Sequence, residues 1–239
     1  MRLATLRKGK SRILYDADSL CDADQAPQIG PSTFTPDWWQ AQGGITGQAP
    51  GRGASLFLNA GNGDEWVLRP YRRGGMVARL SDNRYLWTGL ERTRAFREMR
   101  LTAELLARDL PVPTPVAASV TRHGLTYEAA LITVRIPGAR ALASLLENDE
   151  ADDDLLQRVG AIIRRFHDAG LDHVDLNARN LLVDNSGRVW LIDLDRCRLR
   201  RDGGWKRRNL ERLERSLARF SNPAAAVHAT ERIVKGYSD

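Results

Sequence analysis

The 239-residue sequence is poor in several things, and each scarcity excludes something. It has two cysteines, Cys21 and Cys197, with no CxxC motif. That excludes a disulfide framework, and it fits a reducing, cytosolic setting. No run approaches the roughly 20 apolar residues that a membrane-spanning helix needs. The opening residues, MRLATLRKGKSRILYD, lack the apolar core of a signal peptide. A protein of this kind that works at a membrane is expected to do so from the surface. Excess acid is absent too: the formal charge is +6 and the isoelectric point is near 9.7. A basic surface attracts nucleic acid, phosphorylated small molecules or an anionic membrane leaflet. Charge alone does not choose among them.

What is present has an order. Residues 1–36 are loosely patterned, with Ile13–Tyr15 as a short strand, and are read as an N-terminal extension or the start of the first lobe. Asp37 is placed to cap a short helical turn carrying Trp38 and Trp39. Five glycines between 43 and 53 precede a hairpin of Ser55–Leu58 and Trp66–Leu68. Apolar residues at helical spacing (Phe96, Met99, Leu101, Leu105, Leu106) predict a helix over 93–109, which the prolines of LPVPTP end. Strands are expected at 116–120 and 125–134, then a linker at IPGA. A helix over 152–169 follows, with Asp152 as its N-cap and Gly170 as its C-terminal stop. Two short strands joined by DNSG come next. The chain closes with a basic helix over about 206–220 and a last short helical stretch. Strands with one helix, then mainly helices, make an α+β chain. The expected division is a β-rich lobe over 37–135 and a helical lobe over 136–239.

The chemistry concentrates in HVDLNARNLLVDNSGRVWLIDLD, beginning at His173. Asp175 and Asn180 are five residues apart, on a loop entering a strand, and Asp193 lies at the end of the next strand. Phosphoryl transfer needs a carboxylate to orient or deprotonate the acceptor hydroxyl, and oxygen ligands for Mg²⁺ at the nucleotide phosphates. Asp175 suits the first role; Asn180 and Asp193 suit the second. The pattern is H-x-D-x-x-x-x-N followed by a metal-binding Asp, which belongs to kinases. His173 is a candidate catalytic residue beside Asp175, either as an acid–base group or as a brace for the loop. His167 is expected to pack near the junction of the lobes. Kinases also place a cation on the third strand against a carboxylate on the next helix. Arg69 stands where lysine is usual, with Glu98 as its first candidate partner and Glu104 as the second. Gly51 and Gly53 are candidates for the ATP phosphates, because glycine lets backbone N–H groups approach closely. Ten arginines and one lysine lie between Arg188 and Arg219, against five acids. Such a face suits an anionic membrane surface or an acidic substrate, or it is simply a solvated helix. Arg72 and Arg73 are read in the same way.

Taken together, VLRPYRRGG, RTRAFRE, LPVPTP, IPGA, HVDLNARNLLVD and IDLDRCRLR resemble the lipopolysaccharide kinase family, over about Trp38 to Leu217. The resemblance is nearest to the branch that phosphorylates Kdo (3-deoxy-D-manno-octulosonic acid). It implies a bilobed protein-kinase-like fold and transfer from ATP to the 4-hydroxyl of Kdo on a lipid A precursor. It also implies work at the cytoplasmic face of a Gram-negative inner membrane, Asp175 as base, and Asn180 with Asp193 as Mg²⁺ ligands. In that branch arginine stands in place of the kinase lysine. The residues by themselves leave open another acceptor (a core heptose, an aminoglycoside or a protein) and a nucleotide-binding scaffold without turnover. A nucleic-acid partner is not expected, since the basic tail has no recognised binding motif.

Overall fold

The computed structural model describes residues 1–21, 29–49, 55–61, 63–71 and 84–239. Gly51 and Gly53, and Arg72 and Arg73, lie outside the described residues. The chain divides into two compact units: Met1–Glu104 with Thr114–Arg135, and Leu105–Pro113 with Ile136–Asp239.

The first unit contains β1 (Leu3–Lys8), β2 (Ser11–Asp16), α1 (Ala17–Leu20), α2 (Pro36–Ala41), β3 (Ile45–Gln48) and β4 (Leu56–Asn59). It continues with β5 (Glu65–Pro70), β6 (Tyr85–Leu86), α3 (Arg94–Leu106), β7 (Pro115–His123) and β8 (Thr126–Val134). Its strands form one antiparallel sheet in the order β1-β2-β7-β8-β5-β4-β3, with β6 added to β8. Both faces of this sheet are covered, so its central strands read as nearly continuous apolar runs. Alternation still sorts them. Ile13, Leu68, Ala130 and Ile132 face a cluster with Phe34 and Trp39. Leu14, Ala129 and Leu131 face the other, with Phe96 and Met99 of α3. Val116 and Ala117 are neighbours on the same face because the β7–β8 register slips between Pro115 and Ala117.

Several sequence expectations change here. The loosely patterned N-terminus is a six-pair hairpin, β1 with β2, joined to β7 from Ser11 to Tyr15. The glycine-rich crossing carries a strand, β3. The N-cap of α2 is Thr35, not Asp37, because Pro36 occupies the first helical turn and Asp37 follows it inside the helix. Among the described residues two short helices accompany α3: α2 is the helical turn expected at Trp38 and Trp39, and α1 was not expected.

The second unit contains β9 (Arg140–Ala141), α4 (Leu142–Glu147), α5 (Asp153–Asp168), β10 (Leu171–Asp172) and β11 (Leu181–Val183). After these come β12 (Val189–Leu191), β13 (Arg198–Leu199), α6 (Trp205–Leu217) and α7 (Pro223–Ser238). Asp152 caps α5 through a 2.7 Å bond from Leu155 N–H, and Gly170 (φ +86°) ends the turn that follows. The last helix is sixteen residues long rather than a short stretch; Asn222 caps it by accepting from Ala225 N–H at 2.9 Å. It lies backbone to backbone on α5. A Cβ on Gly160 would stand 2.0 Å from the carbonyl oxygen of Ile233, and one on Gly236 would stand 2.0 Å from that of Gln157. Among the described residues, no helix is long and apolar enough to cross a membrane.

Candidate active site

The loop from His173 to Asn180 is fixed from several sides. Its own alternation anchors it: Leu176 and Ala178 are buried while Asp175 is exposed. The Asp175 carbonyl accepts from the side-chain amides of Asn177 (2.8 Å) and Asn180 (3.0 Å). Asn180 also accepts, through its backbone carbonyl, the N–H of Ile192 at 3.0 Å. His173 Nε2 lies 3.0 Å from the carbonyl of the same Ile192. A carbonyl only accepts, so the imidazole carries its proton on Nε2. Burial lowers the His173 pKa, which keeps the ring neutral and suits that tautomer. Three short bonds therefore tie Asp175 and Asn180 to the residue beside Asp193. The hairpin behind them is held by Asp184, whose carboxylate accepts from Ser186 N–H (2.9 Å), Arg188 N–H (3.0 Å) and Trp190 Nε1 (2.8 Å).

The structure brings the sequence candidates Asp175, Asn180 and Asp193 onto this one stitched segment. His173 is only 1% exposed and its Nε2 is committed to Ile192, the geometry of a brace rather than of a group that meets substrate. Asp193 sits at φ +60°, a left-handed conformation that aspartate tolerates better than most residues. His167 packs inside the second unit, its Nδ1 2.8 Å from Tyr237 Oη and its ring edge-on to Trp205.

Four residues that hold the loop were not singled out from sequence. Asn209 of α6 accepts from His173 N–H at 3.0 Å and donates to Asp172 at 3.1 Å. Asp172 is buried and takes Arg200 at 2.9 Å. Ser216 Oγ accepts from Ala178 N–H at 3.0 Å, while the Ala178 carbonyl accepts from Ala143 N–H at 2.9 Å. The signal available for Asn209 and Ser216 was a polar residue on the apolar face of an amphipathic helix.

In the first unit, Arg69 at the end of β5 pairs with Glu98 of α3. Glu98 is 4% exposed and also accepts from Tyr71 Oη. The Arg69 guanidinium lies 4.9 Å from the Tyr71 ring centre, so ring and carboxylate together fix its plane. Glu104, the second candidate, is exposed on the same helix.

No group of three or more His, Cys, Asp or Glu side chains suited to a metal occurs among the described residues. Mg²⁺ is commonly held by one or two protein oxygens together with substrate phosphates, so Asn180 and Asp193 supply donors of the right kind. The Asn180 amide nitrogen is committed to the Asp175 carbonyl, which leaves Oδ1 as the acceptor end of that amide.

Residues 36–237 match the model of the lipopolysaccharide kinase (Kdo/WaaP) family. The chain is 44% identical over 222 residues to a 3-deoxy-D-manno-octulosonic acid kinase of Xylella fastidiosa strain 9a5c, covering 91% of this chain and 88% of that protein. It is 46% identical to the protein of the same name in Xanthomonas axonopodis pv. citri (91% and 85% covered). For the one in Vibrio parahaemolyticus the identity is 41% (88% and 85% covered). Among solved structures, WaaP in complex with acyl carrier protein superposes with a TM-score of 0.53 at 15% identity, covering 84% of this chain and 81% of that one. That last likeness concerns the fold alone. The α+β architecture of two units, the kinase motif held as a rigid segment, and these matches agree: the chain belongs to the lipopolysaccharide kinase (Kdo/WaaP) family.

Proposed function

We propose that this protein is an ATP-dependent sugar kinase that phosphorylates the 4-hydroxyl of Kdo on a lipid A precursor, in the building of the lipopolysaccharide inner core. The observation that carries the reading is the stitching of Asp175 and Asn180 to Ile192, next to Asp193. It comes in a chain whose relatives at 41–46% identity are named as kinases of that sugar.

In this reading the Asp175 carboxylate accepts a hydrogen bond from the acceptor hydroxyl, aims its oxygen at the γ-phosphorus of ATP, and takes the proton as the new P–O bond forms. The β–γ bridging P–O bond breaks and ADP leaves. Asn180 Oδ1 and the Asp193 carboxylate would hold Mg²⁺. When bound, that ion neutralises charge on the phosphate oxygens during transfer. His173 holds the loop and exchanges no proton with substrate. Arg69, oriented by Glu98 and Tyr71, is assigned to the nucleotide phosphates, and Gly51 and Gly53 are retained as candidates for the same phosphates. The acceptor is a lipid and ATP is cytosolic, so the work is placed at the cytoplasmic face of the inner membrane, with the protein attached peripherally.

The test is incubation with ATP, Mg²⁺ and a Kdo-bearing lipid A precursor, followed by mass spectrometry of the lipid. A gain of one phosphate is expected. Asp175→Asn should lower the rate by about 10²- to 10⁴-fold with its melting temperature unchanged. A wild-type protein that binds ATP but leaves the lipid unmodified would overturn the assignment of the acceptor.

A further inference from the structure

Asp175 forms one wall of a cleft of about 310 Å³ in the second unit. With Asn177, Ser216 and Phe220, four arginines line it: Arg179 from the loop itself, Arg212 and Arg215 from α6, and Arg219 just beyond that helix. Spacings of three and seven residues put the last three on one face of the helix. It is the face that also carries Ser216, whose hydroxyl holds Ala178 of the loop. The helix that braces the loop therefore also surrounds its carboxylate with guanidinium groups.

Several basic residues of this region are paired with acids. Arg207 pairs with Glu211, Lys206 with Asp202 and Asp168, and Arg200 with Asp172. The four arginines of the cleft converge without such pairing, which Arg201 and Arg208 also lack among the described residues. Among the described residues, none has a carboxylate within 4.0 Å. Arg212 Nε is buried without a hydrogen-bond partner. The Arg179 guanidinium carbon lies 5.0 Å from the centre of the Phe220 ring, within cation–π reach. A helix C-terminus favours cations in its last turn, which accounts for Arg215 taken singly. It does not account for the half-buried Arg212 one turn earlier, whose Nε is without a partner, or for Arg179 arriving from another element. Convergent cations repel one another unless an anion sits between them, and guanidinium forks match carboxylates two bonds at a time.

We infer that this cleft binds the carboxylate of the acceptor sugar, with Arg212 and Arg215 as its principal contacts and Arg179 and Arg219 completing the positive field. The inference rests on the Kdo kinase reading and deepens it. Kdo carries its carboxylate on the same ring as the hydroxyl to be phosphorylated. An anion subsite that shares a small cleft with Asp175 would seat that ring by its acid group and present the hydroxyl to the base. Neutral sugars would be refused because they leave the arginines uncompensated. Lipid A phosphates offer similar chemistry but lie on other sugars, beyond the ring whose hydroxyl reacts.

The experiment is steady-state kinetics on three acceptors: the Kdo-lipid A precursor, the same molecule with the Kdo carboxyl reduced to an alcohol, and the same molecule stripped of its lipid A phosphates. Wild type is compared with Arg212→Gln and with Arg215→Gln, which is exposed and so a safe partner for the half-buried site. Each variant should raise the KM of the native acceptor by about tenfold or more. The KM of ATP should stay within about twofold. Carboxyl reduction should cost wild type a similar factor and cost the variants nothing further, whereas removing the phosphates should leave the variants' penalty intact. An unchanged acceptor KM in both variants, with wild type active, would overturn the subsite alone. A penalty that vanishes with the phosphates rather than the carboxyl would assign the cleft to lipid phosphate and overturn the carboxylate. A wild type that modifies no Kdo lipid would overturn the kinase reading and the subsite with it.

Discussion

Glu98 is the side chain on which the first unit's candidate cation depends. It is buried, and it faces both the Arg69 guanidinium and the Tyr71 hydroxyl. Replacing it by glutamine keeps the volume but removes the charge that holds Arg69 in place. We expect Glu98→Gln to lower kcat/KM for ATP by about tenfold or more, since a charge-assisted bond becomes a neutral one. Tyr71→Phe should lower it less; equal losses would mean that the tyrosine, not the carboxylate, sets the arginine. Asn209→Ala should reduce stability by about 1–3 kcal/mol, because it strips the buried His173 N–H and Asp172 of a partner at once. Its urea midpoint and its activity should fall together. These two sites also show what a sequence discloses. Asp175, Asn180 and Asp193 were readable as candidates because they stand at the spacing of a kinase motif, and Arg69 with Glu98 because a strand-then-helix order brings them together. Asn209 and Ser216 lie 36 and 38 residues from the loop atoms they hold, and nothing in a helix pattern says which loop a polar residue on its apolar side will meet. Arg212, Arg215 and Arg219 were visible only as part of a run of charge, and Arg179 was not singled out. Which of them are paired and which converge on Asp175 depends on packing.

The helices of the second unit carry their own constraints. α5 and α7 approach so closely that glycine at 160 and 236 is needed by the opposite backbone, not by any turn. Gly160→Ala and Gly236→Ala should each destabilise by about 1–3 kcal/mol, in spite of alanine's better helix propensity, because the added methyl forces the helices apart. Thermal melts would show it, and a rise in melting temperature would contradict the contact. His167 joins three helices, bonding to Tyr237 of α7 and stacking edge-on with Trp205 of α6. Burial first, and then the neighbouring Lys206, push its pKa down to about 4 from 6.5. The unfolded chain therefore takes up the proton first as pH falls. The stabilisation is complete above about pH 6.5 and is lost progressively toward pH 4. Between pH 7 and pH 5 this one group should cost about 2 kcal/mol of unfolding free energy, and His167→Gln should flatten that slope in urea titrations.

At the scale of the whole molecule, the charge of +6 and the proposed lipid acceptor make one prediction together. The protein should sediment with vesicles containing anionic phospholipid at low salt and be released by about 0.5 M salt, where the Debye length falls to roughly 4 Å. Sedimentation with neutral vesicles alone would contradict attachment by charge. The interleaving of the two units has a further consequence, for inheritance. Leu105–Pro113 belongs with the second unit: Pro111 accepts from Leu191 N–H at 2.9 Å, Arg165 reaches the Asp109 carbonyl at 2.9 Å, and Arg108 reaches that of Ala169 at 3.1 Å. Yet the chain then returns to the first unit for β7 and β8. The units are thus not cassettes. A recombinant joining one relative's residues up to Arg135 to another's from Ile136 would inherit its second unit from two parents, with the seam running through the strand that leads to Asp193. Kinases of this design should diverge by substitution within an intact gene far more readily than by shuffling of halves.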